Sequence, residues 1–233
     1  MGRNIEEEVD APNEFFFDSG TQRLLLSHNG TGAPTQPLTA HHLTTLIRVE
    51  GSRLAPVRGL TIRGLSFTAT APTYLDDTWD TPSGGDWALN WGGALHIEGS
   101  EDLVIEQSRF IRLDGNAVFL GRSNRDAQLR ENEFVWLGQN AMVLWGATDG
   151  VDGTAGDFPR RTTIDHNLCH EIGHYEKQCV RTVILLRCRN GRFQPLTARV
   201  LCGRSSCVFQ AKSAETTIQA NAFFNGPRAL INV

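Results

Sequence analysis

The chain has 233 residues, 40% of them hydrophobic, a formal net charge of −4, and 23 glycines against 9 prolines, the balance of a globular, mostly β protein. No basic stripe points to nucleic acid and no apolar run approaches the roughly 18 residues of a membrane span. The opening MGRNIEEEVDAP is charged and lacks an apolar core, so no signal peptide is read there. Either the protein is intracellular or its true start lies upstream, and its localisation is left open.

The first predicted element, within residues 1–45, is a β-hairpin cap: the aromatic strand of NEFFF, a turn at Asp18-Ser-Gly-Thr21, then LLLS. Asn29-Gly30-Thr31 is a glycosylation sequon, a weak pointer to secretion. From residue 46 to 233 the chain repeats a phrase. LVIEQSRFIRLDGNAVFL, AQLRENEFVWLGQNAMVL and TTIQANAFFNGPRALINV align. Ile62, Ile105, Leu129, Ile164 and Ile218 form one column, and Phe67, Phe110, Phe134 and Phe223 form another five residues on. Ser108, Asn132, Asn167 and Asn221 make a third; Ala94, Ala117, Ala141, Cys207 and Ala229 make a fourth. The interval from Ile105 to Leu129 is 24 residues, too short for a helical repeat and suited to one coil of parallel strands joined by tight bends. The expected fold is all-β: a single right-handed parallel β-helix in which like residues lie on like residues. The asparagines are read as bend residues, since Asn tolerates left-handed backbone and its amide bonds to the neighbouring coil.

Several segments depart from the repeat. The excursion Ala71 to Trp91 holds Asp76, Asp77, Asp80 and Asp86 with Tyr74, Trp79, Trp87 and Trp91. It reads either as a sugar-binding wall or as aromatic packing of the loop onto the solenoid. His96 and Trp145 alternate with Leu95 and Met142 on their strands, and either set could be the inward one. The loop Thr148 to Pro159 brings Asp149, Asp152 and Asp157 together. Three readings stand for it: an Asp-Gly turn, acid/base chemistry on a glycosidic bond, or hard oxygen ligands for calcium. Around His170 and Glu171, the pair His170 and His174 lacks metalloprotease spacing, whereas His174 and Lys177 are placed to face a groove. Finally, 179–204 carries six arginines, no acid and three of the five cysteines; without it the interval from Ile164 to Ile218 falls from 54 to 28 residues. It is expected to be an atypical insert, a genuine loop or translated non-coding sequence, without partners in the repeat. Cys169 and Cys207 sit at ladder positions as small buried hydrophobes, and the other three lack zinc spacing.

DWALNWGGALHIEGSEDLVIEQSRF, the stretch from RLDGNAVFL to DGTAGDFPR, HEIGHYEKQ, and SSCVFQAKS with FFNGPRALIN resemble the right-handed parallel β-helix proteins of the pectin-lyase-like superfamily. The nearest resemblance is to a glycoside hydrolase family with fucosidase and xylanase members, over about residues 13–178 and 205–232. In that family further coils follow the Gly-Pro-Arg-Ala phrase, so the chain is expected to be C-terminally truncated, and an inactive fragment is one expected outcome. The resemblance implies a secreted or cell-surface carbohydrate-active enzyme acting on a polysaccharide or glycan. Catalysis would come from Asp149, Asp152 or Asp114, and binding from Trp79, Trp87, Trp91, His96, Trp145, His174 and Lys177. No cofactor is implied, calcium being the one ion considered. A polysaccharide lyase and a non-catalytic carbohydrate-binding or structural β-solenoid are the alternatives.

Overall fold

The computed structural model describes residues 5–18, 20–30, 32–73, 79–80, 89–148, 152–174, 198–200, 207–226 and 231–232. Two compact units divide the chain, 1–40 and 41–233. In the first, Phe15–Asp18 pairs antiparallel with Arg23–Leu26, the hairpin expected from the sequence. Its turn is closed by the Asp18 carboxylate, which accepts the Gly20 N–H at 2.9 Å and the Thr21 hydroxyl. Those bonds, the Thr21 hydroxyl first, hold the Asp18 carboxyl below its usual range.

The second unit is all-β with parallel sheets, an arrangement compatible with a β-solenoid. The first sheet contains Thr61–Arg63, Val104–Glu106, Gln128–Arg130, Thr163–Asp165 and Thr217–Gln219. The second contains Ser66–Thr68, Arg109–Leu113, Glu133–Leu137, Leu168–Ile172 and Ala222–Gly226. The third contains Ile47–Glu50, Leu95–Glu98, Val118–Gly121, Met142–Trp145, Val208–Ala211 and Ile231–Asn232. From Thr61 onward the chain visits them in the same order, first, second, third, with Ala198–Val200 as one further strand of the second sheet.

The columns read in the sequence are the register of these sheets. Ile62, Ile105, Leu129, Ile164 and Ile218 are direct partners in the first sheet. Phe67, Phe110, Phe134, Cys169 and Phe223 are partners in the second. The rings of Phe67 and Phe110 stack at 4.9 Å and 14°, those of Phe110 and Phe134 at 4.7 Å and 9°, as the inter-strand spacing dictates. Both Cys169 and Cys207 are free and buried, as their ladder positions lead one to expect. Ala229 lies outside the described residues.

What turns the chain so sharply is backbone of the left-handed kind. Gln107, Glu131, His166 and Ala220, each one residue before the serine or asparagine of the bend, have φ between 50° and 56°, a region non-glycine residues enter at a cost of about 1 to 2 kcal/mol. An asparagine ladder offsets that cost. The Oδ1 atoms of Asn132, Asn167 and Asn221 accept the N–H groups of Ser108, Asn132 and Asn167 at 3.1, 3.1 and 2.8 Å. Their Nδ2 groups donate to the carbonyls of Ile105, Leu129 and Ile164 at 2.9, 2.8 and 2.9 Å. Asn140 and Asn116 build the same link at the bend before the third sheet, and Asn124 and Ser100 at the bend after it.

The coils differ in length only where loops leave them. Ladder bonds join residues 24 apart between Ser108 and Asn132, 35 apart between Asn132 and Asn167, and 54 apart between Asn167 and Asn221. The additional residues fall at the bends on either side of the third sheet. One is the span from Gly146 to Pro159; another includes 179–204. Most of 179–204 lies outside the described residues, but Ala198–Val200 pairs in parallel with Ala222–Gly226, with a register irregularity between Arg199 and Val200. Expected to find no partner in the repeat, the segment thus contributes a short strand to the second sheet. Within the earlier excursion, Trp79–Asp80 pairs antiparallel with Leu89–Asn90. No helix among the described residues is long and apolar enough to cross a membrane.

Candidate functional site

The third sheet has two differently furnished faces. Leu95, Ile97, Val118, Leu120, Met142, Leu144 and Val208 point into the main core. The residues between them form a separate cluster of Phe119, Val143, Trp145 and Phe209, with Trp91 and Ala211 packed against it. Inward and outward sets, interchangeable in the sequence, are thereby assigned. Trp91 meets Trp145 at 4.8 Å and Phe119 at 5.0 Å between ring centres, and His96 meets the Phe119 edge at 5.1 Å.

Glu98 sits at the rim of this ring cluster. In register, it lies in one row with Gly121, Trp145 and Ala211, while His96 lies in the next with Phe119, Val143 and Phe209. Gly121 is required there: a Cβ would stand 2.7 Å from the Phe119 ring and 3.1 Å from Glu98 Oε1. Glu98 Oε1 accepts the Trp91 indole N–H at 2.9 Å and lies 3.0 Å from His96 Nε2; Arg122 Nε is 3.5 Å from Oε2. The hydrogen bond from His96 holds the Glu98 carboxyl below its usual range; burial opposes the shift, and Trp91 and Arg122 reinforce it. An ionised carboxylate only accepts, so His96 carries its proton on Nε2.

Arg122 extends the site to the following loop. Its Nη1 donates to Asp157 Oδ2 at 2.8 Å. The base of that loop is closed by the Ala147 N–H on the Asp157 carbonyl at 2.9 Å and by Lys212 Nζ on the Thr148 carbonyl at 2.7 Å. Arg125 clamps the same base, donating to the Gly156 and Phe158 carbonyls with its guanidinium over the Phe158 ring. The described base of the loop is therefore tied to Glu98 through Arg122 and Asp157.

The sequence-predicted residues fall into distinct groups. Trp91, His96 and Trp145 come together, yet Trp145 is 1% exposed and His96 4%; both are built into the ring cluster, leaving Glu98, Arg122 and Asp157 as its accessible edge. Asp152 is exposed and its Oδ1 accepts the Thr154 N–H at 2.9 Å, which holds its carboxyl low, the geometry of an Asp turn. Asp114 is half-buried and donates its backbone N–H to Thr70 Oγ1 at 2.9 Å. His174 stacks on Trp136, a residue of the second sheet, at 5.7 Å and 11°. Trp79 lies on the short hairpin strand; Asp149, Trp87 and Lys177 lie outside the described residues. Glu98 and Arg122 were missed by the sequence reading. The available signal was His-x-Glu on a strand whose alternate positions are all apolar, which sets an imidazole and a carboxylate on one face two residues apart. Among the described residues no three His, Cys, Asp or Glu side chains converge as a metal set would.

The carboxylate at the rim makes stability depend on pH. A carboxyl whose folded pKa is depressed contributes stability that is fully present above its unfolded pKa and is lost as pH falls through the folded one. Glu98→Gln is expected to cost about 1 to 3 kcal/mol at pH 7, the worth of hydrogen bonds to a charged acceptor. The gap from the wild type should close as pH drops below the usual glutamate range, read by chemical denaturation from pH 7 to 3. A gap constant across that range would show that Glu98 is not held ionised by its partners.

Comparison of the chain with protein-family models, with curated proteins and with solved structures finds no match.

Proposed function

We propose that the protein is a right-handed parallel β-helix of the carbohydrate-active kind, a glycoside hydrolase that takes a polysaccharide or glycan along the outer edge of its third sheet. The right hand follows from the strong bias of crossovers between parallel strands. One observation carries the functional reading: the Glu98 carboxylate, held ionised by His96, Trp91 and Arg122 at the border of an aromatic face, next to the anchored base of the loop that bears Asp149 and Asp152. Glycosidic cleavage uses two carboxyl groups of opposite character. In this reading Glu98 is the ionised member, attacking the anomeric carbon or taking a proton from water, and Asp149 or Asp152 delivers a proton to the leaving oxygen. No cofactor is needed for these steps.

A second reading is favoured by a different observation. The Asp152 carboxyl is held below its usual range by the Thr154 N–H, the opposite of the raised value that would keep it protonated for use as an acid. That favours a β-solenoid that binds glycans without turning them over. Product analysis on a panel of polysaccharides separates the two. Release of reducing ends without an unsaturated product, reduced at least 100-fold in Glu98→Gln, is the expected result. Ultraviolet absorbance from a new double bond would replace the hydrolase by a lyase, and binding with neither product would leave the non-catalytic module.

A further inference from the structure

The outer face of the second sheet presents rings that no core uses. Arg112, Trp136 and Glu171 occupy the same position on three successive strands, between partners Ile111, Val135 and His170 on one side and Leu113, Leu137 and Ile172 on the other. All three have left-handed φ, 54°, 59° and 52°. That backbone recurs at this point within each strand, but it does not ask for an indole: the flanking coils place charged residues there. Trp136 is 54% exposed, and His174 lies parallel to it, 5.7 Å away at 11°. One row over, the rings of His170 and Phe224 form a second stacked pair, their centres 4.8 Å apart at 2°, with Phe224 38% exposed. Two flat, partly exposed stacks on adjoining coils are thus bordered by a guanidinium and a carboxylate.

We propose that this face is a glycan-binding surface separate from the Glu98 edge. A pyranose ring lays its C–H face on Trp136, with its hydroxyls reaching Arg112 on one coil and Glu171 on the other, and the His170 and Phe224 pair receives a further ring of the same chain. Pyranoses have the required shape, an apolar face within a polar rim, and an indole that is apolar in body yet rimmed by charge matches it. A stable dimer interface is disfavoured because it needs about 800 Å² per partner, whereas these rings stand among charged side chains such as the Arg109 and Glu133 ion pair, 2.7 Å apart. This surface shares only its ligand class with the hydrolase reading.

The test is affinity electrophoresis of the full chain through gels containing a soluble β-glucan, a galactomannan or polygalacturonate, with Trp136→Ala, Trp136→Phe and Glu98→Gln alongside the wild type. The expected result is retardation of the wild type by at least one of them, weakened at least tenfold in Trp136→Ala, largely kept in Trp136→Phe, and weakened less by Glu98→Gln than by Trp136→Ala. Circular dichroism confirms that each variant is folded. No retardation of the wild type, or equal retardation of Trp136→Ala, overturns the proposal. Retardation lost in Glu98→Gln but kept in Trp136→Ala also overturns it, placing the sugar at the third sheet. Sedimentation velocity showing a dimer that Trp136→Ala dissolves would assign the face to a second copy of the chain.

Discussion

Truncating Phe134 to alanine is expected to destabilise the fold by about 3 to 5 kcal/mol, the range for removing a buried phenylalanine ring. Phe134 is wholly buried and lies flat on Phe110 at 4.7 Å, with Cys169 as its register partner on the other side. The cavity left behind has little means of closing. Strands on both sides are tied by continuous parallel ladders, so the coils cannot slide together, and a void that cannot collapse keeps its full cost. Phe110→Ala, with Phe67 and Phe134 on its two faces, should match it. Urea denaturation of wild type and variants measures the loss. A cost below about 1 kcal/mol, the scale of a single methylene, would mean that the ring column is not the core of the second sheet.

An equal loss is expected without removing any apolar group. Asn132→Ala deprives the Ser108 N–H and the Ile105 carbonyl of their partners and ends the amide link to Asn167. All of these groups are buried, and a buried polar group left unpaired costs about 1 to 3 kcal/mol, so the sum is again about 3 to 5 kcal/mol. Asn132→Asp is the sharper probe. It keeps the oxygen that receives the Ser108 N–H, but it replaces the donor to Ile105 by an acceptor, setting carboxyl against carbonyl. Stability of this variant should therefore recover as pH is lowered and the new acid takes up a proton. Denaturation curves at pH 7 and pH 4 check it; a pH-independent loss would mean that water, and not the asparagine ladder, satisfies the bend.

These two predictions also mark where the sequence was legible. Columns of like residues are a direct image of strand register, because a solenoid stacks each residue on its counterpart one coil earlier. The phenylalanine, isoleucine and asparagine columns could thus be read before any coordinate existed. The site was less legible for a geometric reason. On the third sheet both sides of each strand are apolar, so alternation could not say that Leu95 faces the core and His96 the other way. Nor does any periodicity announce Glu98. Its significance comes from Trp91, which arrives from the preceding bend, and from Arg122, one coil on, two contacts invisible in the linear chain. For His174 the sequence offered only its place in a loop, whereas its ring stacks on Trp136 of the second sheet.

The unequal coil lengths have an evolutionary consequence. Where ladder partners are 24 residues apart, losing or gaining a single residue within the strands or the asparagine bend would throw every later column out of step. The step from 24 to 35 and then 54 residues is instead absorbed at the corners bordering the third sheet. Length in this protein is thus of two kinds. In the walls it is quantised, changing without damage only by whole coils; at those two corners it is continuous. Mutation can therefore lengthen, shorten or recompose the segments around Glu98 while the ladders that carry the stability stay untouched, so that one frame can be adapted to many ligands without refolding its foundations.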